Sequence, residues 1–330
     1  MRLLRAESMR FWARTLIRWA MVAGLVVAGL VVLGSWTTST PPPDEVQASM
    51  QADFDASVKD WEDNGETYVA DCLAAEKADA EELGEPLDYE CDEMGPPVWA
   101  DYAYFATFAG EGLSTVQLSL LLVALLTLGV GVTFVSAEHT SGAIGNWLTF
   151  EPRRSRVYWS KVVAAVLGVV PVTVVMVGLI AGGSLWAYDH HGALGRFDLD
   201  QDLRPYLEMW ARSAALALGL AASGAALGSL LRHTAIVIGV VAGWAILVEA
   251  VAANVFDAIK PWTLVTSMNA WIQGGTAVYV TECDATDDSG MLCDWVEHPV
   301  SQTQGGLILT AVVVALVLVS WLVFRRRDVA

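Results

Sequence analysis

The sequence predicts an all-α polytopic membrane protein with six transmembrane helices, both termini in the cytoplasm, and an extracellular loop region stapled by disulfides. Three observations favour this class. Of the 330 residues, 55% are hydrophobic and only 17% are charged, whereas soluble domains carry about 25% charged residues. The apolar residues form long runs, and the Lys and Arg residues are sorted to one side of those runs.

Six apolar runs are long enough to cross a bilayer, which takes about 20 residues in a helix. Backbone groups in lipid have to be satisfied within the segment, so each run is predicted to be a helix. The runs lie at about 15–35, 113–136, 162–188, 210–231, 235–256 and 305–324.

The basic residues set the predicted orientation. Thirteen of the 19 Lys and Arg residues precede the first span, lie between the second and third spans, occupy the turn after the fourth, or follow the last. Basic residues are retained on the cytoplasmic side, so both termini are predicted to be inside. No A-x-A pattern follows the first span, so we expect it to be retained as an anchor rather than cleaved as a signal peptide.

This topology divides the chain into five segments, beginning with an N-terminal interfacial helix and first span. We expect the cations Arg10, Arg14 and Arg18, which recur on one helical face, either to face lipid headgroups or to act only as a positive flank. The five segments are 1–36, the acidic extracellular loop or cap 37–112, four spans over 113–256 with a cytoplasmic segment at 137–161, the extracellular loop 257–304, and the last span with its basic tail, 305–330.

All four cysteines fall in segments predicted to be extracellular: Cys72, Cys91, Cys283 and Cys293. Disulfides persist in oxidising compartments, so two bridges are expected. Pairing within each loop is the simplest of the three possible connectivities, which the sequence leaves open. These spacings do not resemble a metal site, and no metal is expected.

One carboxylate, Glu249, falls inside the fifth span, where a charge is costly and usually has a partner. Arg212, toward the same side of the fourth span, is the candidate partner. A structural ion pair is the favoured interpretation, and a role in transport is the alternative.

The segment between the second and third spans carries the functional signal. It leaves the membrane with Glu138, continues through Gly142, Trp147 and Phe150, and breaks at Pro152. A basic cluster, Arg153, Arg154 and Arg156, then leads to Lys161 at the next span. Apolar residues in such a loop need a surface to bury against, either the membrane interface or a partner protein.

This pattern resembles the permeases of type-two ABC exporters, in which the equivalent segment is a coupling helix that docks on a cytoplasmic ATPase. The resemblance implies that Glu138 and Arg156 are polar anchors at that joint and that Trp147 and Phe150 are apolar docking residues. It also makes residues 2–18 similar to an interfacial elbow helix. The implied location is a bacterial cytoplasmic membrane.

The chain contains no G-x-x-x-x-G-K-[ST] sequence, so it is not expected to be an ATPase itself. The implied partners are a separate ABC ATPase carrying ATP and Mg²⁺, a second permease copy in a homo- or heterodimer, and lipid; no nucleic acid or cofactor of its own is expected. The alternative functions are a membrane scaffold or sensor that reads its extracellular cap, or a secondary transporter. No motif of a membrane enzyme is present. The cargo is not indicated.

Overall fold

The computed structural model describes residues 2–84, 87–102, 106–285 and 291–326. Within these residues, six helical segments are long and apolar enough to cross a membrane, which confirms the six runs read from the sequence. They are α2 (Thr15–Ser39), a π turn (Phe108–Gly112) continued by α5 (Leu113–Thr140), α7 (Arg154–His190), α8 (Leu203–Leu231), α9 (Thr234–Trp244) with its π-helical continuation (Ala245–Ala252) and α10 (Ala253–Val255), and α12 (Gln302–Arg326).

The closest helix pair in the bundle is α5 against α8. A side chain at Gly131 of α5 would collide with the Ala221 carbonyl of α8, and one at Gly224 of α8 would collide with the Leu128 carbonyl of α5. Small residues at such a crossing let two membrane helices approach at backbone distance. This tight pair fixes the centre against which α7, α12 and α2 pack.

One end of the bundle, here the α6 end, gathers the short elements predicted for the cytoplasmic side. Helix α1 (Arg2–Ala13) ends in an extended residue, Arg14, before α2 begins. Helix α6 (Ala143–Phe150) connects α5 to α7. Phe11 of α1 is fully buried in a core cluster with Phe134 and Tyr158, so α1 packs against the bundle rather than standing apart from it.

The opposite end, the α3 end, contains a long helix and a β-hairpin. Helix α3 (Asp44–Leu83) is continuous for 40 residues and lies within the segment 37–112 that the sequence predicts to be an acidic loop or cap. A 3₁₀ turn (Cys91–Glu93) and α4 (Trp99–Tyr102) follow it. Between the fifth and sixth spans lie a 3₁₀ helix (Asp257–Trp262) and α11 (Leu264–Gln273).

The hairpin corrects the all-α expectation. Strands β1 (Gly275–Ala285) and β2 (Met291–Ser301) pair antiparallel, with Gly275 opposite Ser301 and Cys283 opposite Cys293. The segment was read as a loop, yet its alternating Thr276, Val278 and Val280 are the β-branched residues that a strand favours. A left-handed glycine, Gly274, ends α11 and turns the chain into β1.

Candidate functional site at the α6 end

A carboxylate from α1 lies at the centre of the α6 end. The side chain of Glu7 is fully buried. It accepts hydrogen bonds from Lys161 Nζ of α7, at 3.1 Å to Oε1 and 3.2 Å to Oε2. The indole N–H of Trp147, on α6, also donates to its Oε1. Glu7 therefore ties α1 to both α6 and α7.

Lys161 joins this carboxylate to a second one. Its ammonium forms an ion pair with Glu138 at the end of α5, and the Lys161 side chain is only 3% exposed. An ammonium has three donors, and Glu7 and Glu138 supply its charged acceptors. Lys161 thus links α1, α5 and α7 at one point.

Arg14 completes the set from the break between α1 and α2. Its Nη2 lies 2.8 Å from Glu138 Oε1, and its Nη1 donates to the Thr133 carbonyl at 3.2 Å. The Arg14 side chain is 23% exposed. We call Glu7, Arg14, Glu138 and Lys161 the buried charge cluster.

The buried charge cluster has two carboxylates and two cations, so its formal charge is zero. Burying ions is costly, and the cost is offset only when each charge is paired and hydrogen-bonded. Removing one partner leaves an uncompensated charge and typically costs about 3–5 kcal/mol. The arrangement therefore locks the relative positions of α1, α5 and α7.

The structure places several of the predicted site residues in or beside the buried charge cluster. Glu138, predicted to be a polar anchor, is 3% exposed and is bound within the molecule by Lys161 and Arg14. Of the three cations expected on one face of the N-terminal helix, Arg14 binds Glu138 and the Arg10 guanidinium lies 4.1 Å above the Trp147 ring, while Arg18 is exposed. Arg14 and Arg10 are therefore bound by a carboxylate and by an aromatic ring of the protein itself.

Trp147, predicted to be an apolar docking residue, packs against the bundle. Its ring is half-buried, sits under Arg10, and packs at the edge of the core formed by Phe11 and Phe134. Together with Ile144, which is 1% exposed, it holds the inner face of α6 against the bundle. The inner face of α6 therefore packs against the other helices of the same chain.

The outer tip of α6 is open. Phe150 is 84% exposed, and the residues that follow, Pro152 and Arg153, are exposed as well. Arg156 is exposed on the first turn of α7, and Arg154 is half-buried. Gly142 begins α6 with a φ of 69°, a left-handed conformation that glycine adopts without strain.

Glu249 does not pair with Arg212, which corrects the predicted intramembrane ion pair. Its Oε1 accepts the Leu264 backbone N–H at 2.9 Å and its Oε2 accepts that of Val265 at 3.2 Å. The carboxylate therefore caps the first turn of α11, where the helix dipole favours a negative charge. Arg212 instead donates to the Glu208 carbonyl.

The first predicted disulfide is present, joining Cys72 of α3 to Cys91. For the second, the backbone register places Cys283 directly opposite Cys293, but the side chains of these two residues lie outside the described part of the chain. No group of three His, Cys, Asp or Glu residues that could hold a metal occurs among the described residues.

The cluster was not predicted from the sequence because its members come from three segments that are distant along the chain. Glu7 lies between Arg5 and Arg10, and this stretch was interpreted only as basic. Lys161 was interpreted only as the start of a span. The signal that could have indicated the cluster was the position of Glu7 and Lys161 next to apolar runs, since charges at membrane depth usually have partners.

Comparison of the chain with protein-family models, curated proteins and solved structures found no match.

Proposed function

We propose that this chain is the membrane subunit of an ABC transporter of the type-two exporter class. In this proposal the α6 end is cytoplasmic, and the exposed tip of α6 docks on a separate ATPase that carries ATP and Mg²⁺. The observation that carries the proposal is the two-sided character of α6. Its outer tip exposes Phe150, while its inner face is bound through Trp147 to the buried charge cluster.

The contacts suggest how a push on α6 would reach the membrane. Displacing α6 displaces Trp147, which is bonded to Glu7 of α1. Glu7 is bonded to Lys161 of α7, and Lys161 to Glu138 of α5. A packed core with paired charges deforms poorly, so the helices would move as a body between discrete arrangements. The buried charge cluster would thus act as the joint between ATPase and spans.

The fifth span supports the proposed second permease copy. Within the Thr234–Val255 segment, only 6% of the apolar window is buried. Gly239 and Gly243 lie one turn apart there, with nothing within 4 Å of either added Cβ position. A G-x-x-x-G pair in an apolar helix is typical of a helix–helix interface in membranes, and an identical or a related permease would fit it.

The test is purification of the tagged chain from its native membranes in mild detergent, with mass spectrometry and an assay of ATP hydrolysis. We expect a P-loop ATPase to co-purify with the parent and to be reduced by Phe150→Ala. The matched control is Trp295→Ala, because Trp295 is 75% exposed at the α3 end and is expected to leave the complex intact.

The second candidate function is a scaffold or sensor, which the long α3 helix favours. The same purification separates the two. Absence of any ATPase, under conditions that preserve a known transporter complex, would remove the permease proposal. An ATPase that is retained by Phe150→Ala and lost by Trp295→Ala would place the contact at the wrong end of the molecule.

A further inference from the structure

Almost all of the net charge of the chain resides in one structural unit. Residues 44–102, here the acidic arm, contain 19 acidic and two basic residues, a net of −17 within a chain of net −18. The rest of the chain is therefore almost neutral. Charge confined to one segment is typical of an interaction surface rather than of a requirement of the fold.

The acidic arm is held together by its own contacts. The Cys72–Cys91 disulfide ties its return segment to α3, and Trp99 and Tyr102 pack edge-on against Phe54 at 5.4 Å and 5.5 Å. The helix rises about 27 Å between Phe54 and Cys72, the two positions at which the return segment contacts it through Trp99, Tyr102 and Cys91. The return segment therefore runs back along α3, antiparallel to it.

The carboxylates of α3 are left without cations. Among the described residues, no salt bridge involves a side chain of α3. Their contacts are instead with neutral donors, such as the Tyr68 hydroxyl to Asp60 and the Tyr89 hydroxyl to Asp79. Hydrogen bonding to its carboxylate raises the pKa of each tyrosine. The excess of 17 negative charges in residues 44–102 makes the surface of the acidic arm strongly negative. Such a surface raises the local concentration of cations.

One concave region in the middle of α3 combines charge with an aromatic face. Trp61 folds back over Gly65, where an added Cβ would lie 2.9 Å from the indole. Glu62, Asp63 and Glu66 line the same concavity, of about 750 Å³. An aromatic ring beside carboxylates suits a Lys or Arg side chain, which gains a cation–π contact as well as charge pairing.

We propose that the acidic arm is a docking surface for a basic, Lys- or Arg-rich peptide segment, with the concavity around Trp61 as its central contact. Charge complementarity selects this occupant. A second copy of the arm would add another 17 negative charges, and an anionic lipid surface would repel it. A peptide chain also matches the length of α3, about 60 Å, which a small ion does not.

The test uses the full chain in nanodiscs of phosphatidylcholine and a labelled peptide with Lys at every third position and Gly and Ser between. Binding is followed by fluorescence anisotropy. We expect binding that weakens at least about tenfold between about 50 and about 300 mM NaCl, as screening shortens the Debye length. No ATPase is needed, so failure here is distinguishable from failure of the proposed transport function.

A matched pair of variants locates the contact. The triple change Glu62→Gln, Asp63→Asn and Glu66→Gln is expected to weaken binding about tenfold, because three screened charge pairs are lost together.

The control triple Asp53→Asn, Asp71→Asn and Glu81→Gln removes the same charge from α3 outside the concavity. We expect it to weaken binding less than about twofold. Equal losses in both triples would overturn the central contact.

Two further outcomes would overturn the proposal itself. One is salt-insensitive or undetectable peptide binding. The other is displacement of the peptide by about 1 mM Ca²⁺ with no effect of the same ionic strength of NaCl, which would identify a metal site instead. Association of arms from two chains in light scattering, without peptide binding, would likewise replace the peptide by a second copy.

Discussion

The buried charge cluster and the acidic arm treat charge in opposite ways. In the cluster, Glu7, Glu138 and Lys161 are each at most 3% exposed, and each lies within an ion pair. In the arm, 19 acidic residues stand against two basic ones, and no described salt bridge involves α3.

The difference follows from solvent. A buried ion loses its hydration and requires a partner, whereas an exposed carboxylate is stabilised by water and salt. The cluster can therefore define positions of helices, while the arm can attract a partner without constraining the fold. Changes of charge should be costly in the first region and almost neutral for stability in the second.

The largest effect is expected at the lysine of the cluster. Lys161→Met leaves the carboxylates of Glu7 and Glu138 facing each other without their shared cation. We expect a loss of about 3–5 kcal/mol in the free energy of unfolding. The measurement is unfolding in mixed micelles with rising dodecyl sulfate, followed by tryptophan fluorescence.

The matched control is Lys77→Met on α3, which is expected to change stability by less than about 0.5 kcal/mol. Adding Glu7→Gln to Lys161→Met should restore at least about 1 kcal/mol, since the remaining Glu138 still has Arg14. A Lys161 variant as stable as the Lys77 variant would mean that the cluster does not bear on stability.

The next effect concerns the arm and should stay local. Replacing Cys72 and Cys91 by Ala removes a cross-link with a sequence separation of 19, worth about 3 kcal/mol in the chain-entropy model. Because α3 packs mainly against its own return segment, we expect faster hydrogen exchange and proteolysis within 44–102. The six spans should be unaffected, and a loss of bundle stability of similar size would show that the arm supports the membrane domain.

A smaller effect tests whether α6 is tied to the cluster. Trp147→Phe keeps a ring under Arg10 but removes the indole N–H that Glu7 accepts. We expect a loss of about 1–3 kcal/mol, the usual cost of removing a donor from a buried acceptor. Phe150→Ala, three residues on along the same helix, should cost less than about 0.5 kcal/mol because its ring is exposed. Equal effects would contradict the two-sided character of α6.

The sequence predicted those parts of the molecule that depend on local composition. The apolar runs located all six spans, because the length of a span is set by the bilayer. It did not predict the partners of Glu7, Glu138 and Glu249, which come from distant segments and depend on packing.

The smallest effect is expected between the two extremes, at the half-buried ion pair of Asp257 and Lys260 in the hairpin region. Hydrogen bonds from Lys260 and from the Thr281 backbone N–H lower the pKa of Asp257 to about 2. The folded-state pKa is below the unfolded value of 3.8, so the stabilisation is complete above about pH 4 and is lost as the pH falls toward 2. Asp257→Asn should therefore speed hydrogen exchange in β1 near neutral pH and make no difference near pH 2.

Glu297→Gln on β2 is the matched control, since it changes the charge of an exposed carboxylate on the strand that pairs with β1. It should leave exchange in β1 unchanged at both pH values. If Asp257→Asn behaves like Glu297→Gln, burial alone determines how much a charged side chain contributes to the stability of this protein. If only Asp257→Asn alters exchange, the pairing of a charge contributes to stability even where the pair contacts water. The cluster and the arm then differ in the partners of their charges as well as in burial.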